Sequence, residues 1–490
     1  MVFISENKGN INKTVAVMTG KIVAICLIAA TTVLAAPGSG TTLQSQVSSE
    51  QAARQTITIF FTSNELGAMQ PCGCSGGQLG GLDRRYTVFN AVSPQNRLII
   101  DTGSLVEGAT DQDLIKFGII VQAYTQLGYN VVNLTGQDIL VAREAGFLDG
   151  LSSAFNCITA GSSDDIKMPA KFTRTFTLNG SFVEAVVVAV ETEDQITRLP
   201  DLLASSAGSP LAVKILILNQ ADAKTIATVS EMNLVDLLIV PSQADEPTLV
   251  GDANNSPLVI SAGRIGKYVG KIQARFDRAR QKPRLAFSSV PVTEDIVQYQ
   301  PLVELYKDYQ RLVKDANLIE RYPRFVLPDN LEYVGSKYCK LCHDYEYEKW
   351  MTSKQVFISG LDKQASPDSR HAGAFAALEK VGSEYDPECI ICHVVGMQYQ
   401  TGYVSPAKTP EMKDVGCENC HGPGSEHLRS LGAIETAGPI STCSDCHTAE
   451  QSGEYASNQK QYFEKIVHWR EPVSMVRVKE PNQPAKHNIR

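Results

Sequence analysis

Ile57–Met69 reads ITIFFTSNELGAM: a run of Ile, Phe and Thr that breaks into a polar turn at Ser63. β-Branched and aromatic side chains fit a pleated, buried strand, and the Ser-Asn-Glu that follows marks its end. Comparable runs recur at 97–101, 130–134, 155–159, 183–191, 213–218, 235–240, 257–261 and 268–276, separated by amphipathic stretches. That alternation predicts an α/β fold, a layered mixed-sheet sandwich, over 57–292.

Toward the N-terminus, 37–56 is mostly Gly, Ser, Thr, Gln and Ala without an apolar period and reads as a linker. Before it stand a basic region ending at Lys21, an apolar run from Ile22 to Leu34, and Ala35-Ala36 ahead of Pro37. This is the pattern of an export signal over 1–36, which predicts a periplasmic or extracellular protein. An uncleaved N-terminal anchor is the alternative. No second apolar stretch of membrane length follows, so the mature chain is expected to have no transmembrane segment. The formal charge of −8 becomes about −10 without the leader. That balance argues against a nucleic-acid partner and favours a basic protein partner.

Toward the C-terminus, QYQPLVELYKDYQRLVKDANLIERY (Gln298–Tyr322) has apolar residues at helical spacing and charge on the other face, predicting a connecting helix within 293–330. After Leu331 β-branched runs become scarce, and all 8 histidines lie beyond this point. A mostly α and irregular domain is expected over 331–490.

Eight of the 12 cysteines fall in four CxxCH sequences. They are Cys339, Cys342 and His343; Cys389, Cys392 and His393; Cys417, Cys420 and His421; and Cys443, Cys446 and His447. Two thiols at this spacing add to the vinyl groups of haem while the adjacent imidazole takes one axial iron position, so four covalently bound c-type haems are predicted. A zinc ribbon also uses CxxC pairs but needs no His directly after the second Cys. Four porphyrins also account for the thin apolar content of this region. His371, His427, His468 and His487 match the four open axial positions in number. The residues alone leave open which of them ligate.

DVGCENCHGPGSEH, Asp414–His427, resembles the signature of the cytochrome c-554 type of multihaem cytochrome, found with hydroxylamine oxidoreductase in nitrogen metabolism. The resemblance covers roughly Leu331–Trp469. SRHAGAFAAL (Ser369–Leu378) and YFEKIVH (Tyr462–His468) are similar to family segments carrying distal histidines. The resemblance thus implies distal iron ligation by His371, His427 and His468, with closely packed haem pairs, three bis-His irons and one that can be five-coordinate. His487 matches no family position and is a fourth candidate in a Pro-rich tail. Trp350–Lys354 reads WMTSK, and the matching His segment comes only at Ser369, an insertion relative to the family.

The opening ITIFFTSNELGAM, with GGLDRR and LIIDTGSLVEG after it, resembles the start of the 5′-nucleotidase type of calcineurin-like metallophosphatase, over about 57–290. In that family Asp and His at these strand ends hold two metals that activate water. Here the corresponding positions are Asn64, Leu66 and Ser104. Gln137 and Asp138 replace an Asn-His pair, and later His positions fall near Gln220 and Ser242. No histidine precedes His343, and Asp101 with Asp138 cannot rebuild such a centre, so phosphatase activity is not expected.

PCGCSGGQLGG, Pro71–Gly81, places Cys72 and Cys74 on a Gly-rich loop just after the first strand. A CxC pair there can hold a soft metal, form a reducible disulfide or exchange thiols, with Cys157 as a third sulfur. The alternative is a structural loop without chemistry. Three functional readings follow. The first is an exported electron carrier whose α/β domain docks redox partners, including other multihaem cytochromes, or handles a thiol or metal redox event. The second is an oxidoreductase acting on a small nitrogen or sulfur compound at a five-coordinate haem or at the Cys72/Cys74 loop. The third is a nucleotide- or anion-binding module coupled to haems.

Overall fold

The computed structural model describes residues 56–71, 77–161, 168–204, 211–277, 282–359, 370–439 and 442–468. The expected leader, the linker apart from Thr56, Cys72, Cys74 and His487 lie outside these. The chain divides into two compact units, Met1–Leu318 and Ile319–Arg490.

The first unit is built on two six-stranded mixed sheets. One has the order β12 (Arg284–Pro291), β11 (Tyr268–Arg275), β1 (Thr56–Thr62), β2 (Arg97–Asp101), β3 (Val131–Asn133) and β4 (Asn156–Ile158). The other runs β5 (Lys171–Leu178), β6 (Ser181–Val190), β7 (Ala212–Leu218), β8 (Leu237–Val240), β10 (Leu258–Ser261) and β9 (Thr248–Leu249). β1–β4 are mutually parallel, as are β6, β7, β8 and β10, while antiparallel strands close both edges of the second sheet and the β12 edge of the first.

Alternation of side chains along each strand produces the layers. Ile57, Ile59 and Phe61 of β1, with Leu98 and Ile100 of β2, point between the sheets and meet Val183, Ala185, Val187, Ile215, Ile217 and Ile239 of the second sheet. Phe60, Ile99 and Val132 point the other way, under helices α1 (Leu82–Asn90), α2 (Asp111–Leu127) and α3 (Gly136–Glu144). The outer face of the second sheet, Val186, Val188, Leu216 and Leu238, is covered by 193–203 and by α4 (Ala223–Glu231). The result is a helix–sheet–sheet–helix sandwich.

Local chemistry sets the helix limits. Thr110 caps α2 and Asp113 returns the bond, while Gly128 ends it in the left-handed region at φ 75°. In the stretch 293–330 the helix is α5 (Gln300–Asp315), with Pro301 in its first turn. Its Leu302, Leu305, Tyr309 and Val313 join the core under α1–α3. In β11, Gly270 stands opposite Phe61, whose ring fills the space a side chain there would need.

The second unit has a small core of Ile319, Leu327, Tyr333, Phe375, Leu378, Ile390, Val394, Met397, Tyr403 and Met412. Its elements are mostly short helices, among them Ser336–Cys339, Asp344–Ser359, Ala374–Val381, Pro387–Ile390, Cys417–His421, Ser425–Arg429, Cys443–Cys446 and Tyr455–Glu464. Among the described residues no helix is long and apolar enough to cross a membrane.

Candidate functional site

Each CxxCH sequence lies on or beside one of these short helices. In the third and fourth motifs both cysteines lie within the helix, whose spacing puts them on one face, three residues apart, with the imidazole one residue beyond. The His343 and His447 amides donate to the Cys339 and Cys443 carbonyls at 2.9 and 2.8 Å. The side chains of Cys339 and Cys417 lie close to each other, as do those of Cys392 and Cys446. The first motif therefore adjoins the third, and the second adjoins the fourth.

Three imidazole pairs face each other across this unit. Ring centres are 6.0 Å apart for His343 and His427, 6.2 Å for His371 and His447, and 6.0 Å for His421 and His468. A metal–imidazole bond of about 2.0 Å, with the ring centre about 1.1 Å beyond the nitrogen, separates two axial rings on one metal by about 6 Å. The residues thus fit a haem iron between each pair. His427 and His468 turn Nδ1 onto the carbonyls of Ile434 and Ile466, both at 2.7 Å, the arrangement in which Nε2 is the ligating nitrogen. Burial, then the neighbouring His447 and His393, pushes His371 down to about 4, so its ring is held neutral, the form a metal binds. His393 turns Nδ1 onto the Ala374 carbonyl at 2.6 Å, and burial lowers its pKa. No ring contact joins His393 to a second imidazole among the described residues.

Glu418, inside the third motif, reads in the sequence as no more than a spacer between cysteines. Its carboxylate is buried and accepts from the amides of Val334, Gly335 and Gly424 at 2.7–3.1 Å. Burial pushes its carboxyl up and the amide donors oppose this.

At the strand ends of the first unit, most of the positions singled out in the sequence make hydrogen bonds within the fold. Asn64 and Leu66 donate their amides to the carbonyls of Gly103 and Ser104 at 2.9 and 3.1 Å. Ser104 and Leu105 donate theirs to Asp138 at 2.8 Å, and Asp138 also caps α3 through Thr135. Gln220 reaches Glu191 at 3.2 Å, and Ser242 accepts from Ala244 at 3.0 Å. Gln137 lies in the first turn of α3. Among the described residues no group of three or more His, Cys, Asp or Glu is placed to hold a metal ion directly.

Beneath this edge lies a charge network that the sequence did not disclose. Arg85 pairs with Glu65, and the Tyr124 hydroxyl donates to Asp101 at 3.0 Å and lies 3.3 Å from Glu65. Asp101 also accepts from Thr62 at 2.6 Å and from the Gly103 amide at 2.9 Å. Burial outweighs these bonds and pushes the Asp101 carboxyl up to about 7. Cys157 lies in the apolar cluster beneath the helices, its thiol pushed up to about 12 by burial, so it is protonated at neutral pH.

The sequence model of the family "Cytochrome c554 and c-prime" matches residues 338–422. Cytochrome c-554 of Nitrosomonas europaea is 30% identical over 112 residues, which are 22% of this chain and 46% of that protein. The chain therefore spans about half the length of the curated relative it matches. Among solved structures, the chain is similar to a 5′-nucleotidase precursor from Thermus thermophilus, with a TM-score of 0.41, 15% identity, and coverage of 53% of this chain and 59% of that one. It is also similar to the calcineurin-like phosphoesterase YfkN from Bacillus subtilis, with a TM-score of 0.42, 14% identity, and coverage of 52% and 97%. The matched part of the second unit is thus similar to a stretch of a multihaem cytochrome.

Proposed function

We propose that this chain is an exported electron-transfer protein holding four c-type haems, one at each CxxCH sequence. The observation that carries the proposal is the spacing of the three facing imidazole pairs. His343 with His427, His421 with His468, and His447 with His371 would each hold one haem iron between them. His393 would hold the fourth, with His487, outside the described residues, as the remaining candidate ligand for it. Bound haem supplies a one-electron ferric–ferrous couple whose potential follows its axial ligands and surroundings. The contacts of Cys339 with Cys417 and of Cys392 with Cys446 bring the attachment points together in two pairs. The first unit serves as a docking body for redox partners, other multihaem cytochromes among them, and the acidic chain favours a basic partner.

A second reading rests on His393. With no facing imidazole among the described residues, its site admits a small nitrogen ligand, and the protein is then an oxidoreductase toward that ligand.

Low-temperature EPR of the oxidised protein, after a haem count on the denatured chain, tests both. Four haems with three low-spin bis-imidazole signals support the proposal, and fewer low-spin signals overturn the axial assignment. Nitric oxide binding at one further haem supports the second reading, whereas four low-spin signals with no response to nitric oxide eliminate it.

A further inference from the structure

Glu418 belongs by sequence to the third motif, yet its carboxylate reaches away from that motif to two other segments. Oε2 accepts from the Gly335 amide at 2.7 Å and Oε1 from the Val334 amide at 2.9 Å. Oε1 also accepts from the Gly424 amide at 2.8 Å. Two serines reinforce the clamp: Ser425 Oγ accepts from the Glu332 amide at 3.0 Å, and Ser336 Oγ from the Cys417 amide at 3.1 Å.

These two segments lead directly to the first facing pair. From Gly335 the chain enters the helix Ser336–Cys339, and the His343 amide donates back to Cys339. From Gly424 it enters the helix Ser425–Arg429, which carries His427. A side chain at Gly424 would press on both Glu418 and Val334, so the approach of the two segments is close. His468, which faces His421 of Glu418's own motif, follows the distant helix Tyr455–Glu464 and turns its Nδ1 onto Ile466.

We infer that Glu418 is a positioning residue for the His343–His427 pair, setting the separation of the two imidazoles that hold the first iron although it lies within the third haem's attachment sequence. This inference rests on the axial reading given above. The carboxylate acts by satisfying three buried amides at once, and no neutral side chain offers two equivalent acceptor oxygens to donors on both segments. Without it, the segment bearing His427 is free to withdraw from the segment bearing His343.

The test uses the full haem-loaded protein and its Glu418→Gln and Glu418→Ala variants. The expected result for Glu418→Ala is loss of one low-spin EPR signal and gain of one high-spin ferric signal, with low spin restored by added imidazole. Glu418→Gln, which keeps one acceptor oxygen, is expected to shift a smaller fraction in the same direction. Adding His427→Ala to Glu418→Ala is expected to remove no further low-spin signal, whereas adding His468→Ala removes another. Three low-spin signals retained in Glu418→Ala, or loss of the signal that His468→Ala abolishes, overturns the inference. Failure of both variants to load four haems also overturns it, because the residue then serves the whole unit. If the unsubstituted protein lacks three low-spin signals, the axial reading itself has failed. If His427→Ala removes a signal and Glu418→Ala does not, only the positioning role has failed.

Discussion

Arg85 donates to Glu65 through Nη2 at 2.7 Å, and neither side chain is exposed to solvent. A charge buried this deeply is tolerated because its partner is fixed. Glu65→Ala leaves the guanidinium uncompensated and is expected to cost about 3–5 kcal/mol, while the double replacement Glu65→Leu with Arg85→Met costs much less. Urea unfolding of the full chain followed by far-UV circular dichroism checks the order of the two.

Asp101 makes stability depend on pH. Its folded value of about 7 lies above the ordinary 3.8, so between the two the folded state binds more protons than the unfolded one. Its contribution is fully present below pH 3.8 and is lost as pH rises through about 7. The full effect is on the order of 4 kcal/mol. Asp101→Asn is expected to flatten this part of the stability–pH profile, measured by urea unfolding across that range. An unchanged slope in the variant assigns the proton uptake elsewhere.

Gly270 permits the packing of Phe61 across the β1–β11 pair, because an added Cβ would overlap that ring. Gly270→Ala is expected to destabilise by about 1–3 kcal/mol, with the sheet forced to shift or the ring to leave its rotamer. Gly136, where an added Cβ meets nothing within 4 Å, gives a control that should lose far less in the same unfolding assay.

His371→Ala and His468→Ala each remove one member of a facing pair and are each expected to convert one low-spin haem to high spin. The double variant converts two, because the pairs are separate. EPR spin counting decides. A single variant that changes two haems would mean that the pairs share a structural support.

The layering of the first unit was legible because short continuous β-branched and apolar runs mark strands buried on both faces, and those between Ile57 and Arg275 became strands. β5 and β12 do not stand out in the same way. KFTRTFTL and RLAFSSVP expose alternate polar side chains at sheet edges, where burial does not enforce an apolar run. The attachment motifs were legible because the chemistry requires contiguous residues. Which imidazole faces which was not, since that depends on tertiary approach between segments far apart in sequence. The Glu65–Arg85 pair was hidden for another reason: a Glu just after a strand end and an Arg on a helix ordinarily read as solvated.

The three facing pairs also impose a topology. His343–His427, His371–His447 and His421–His468 join residues about 80, 80 and 50 positions apart, and the three spans overlap one another. If an iron bridges each, the unit is cross-linked as a disulfide-rich miniprotein is, each closure restricting the unfolded chain by about 4 kcal/mol. A unit with so small an apolar core would then owe much of its compactness to interlocked rings.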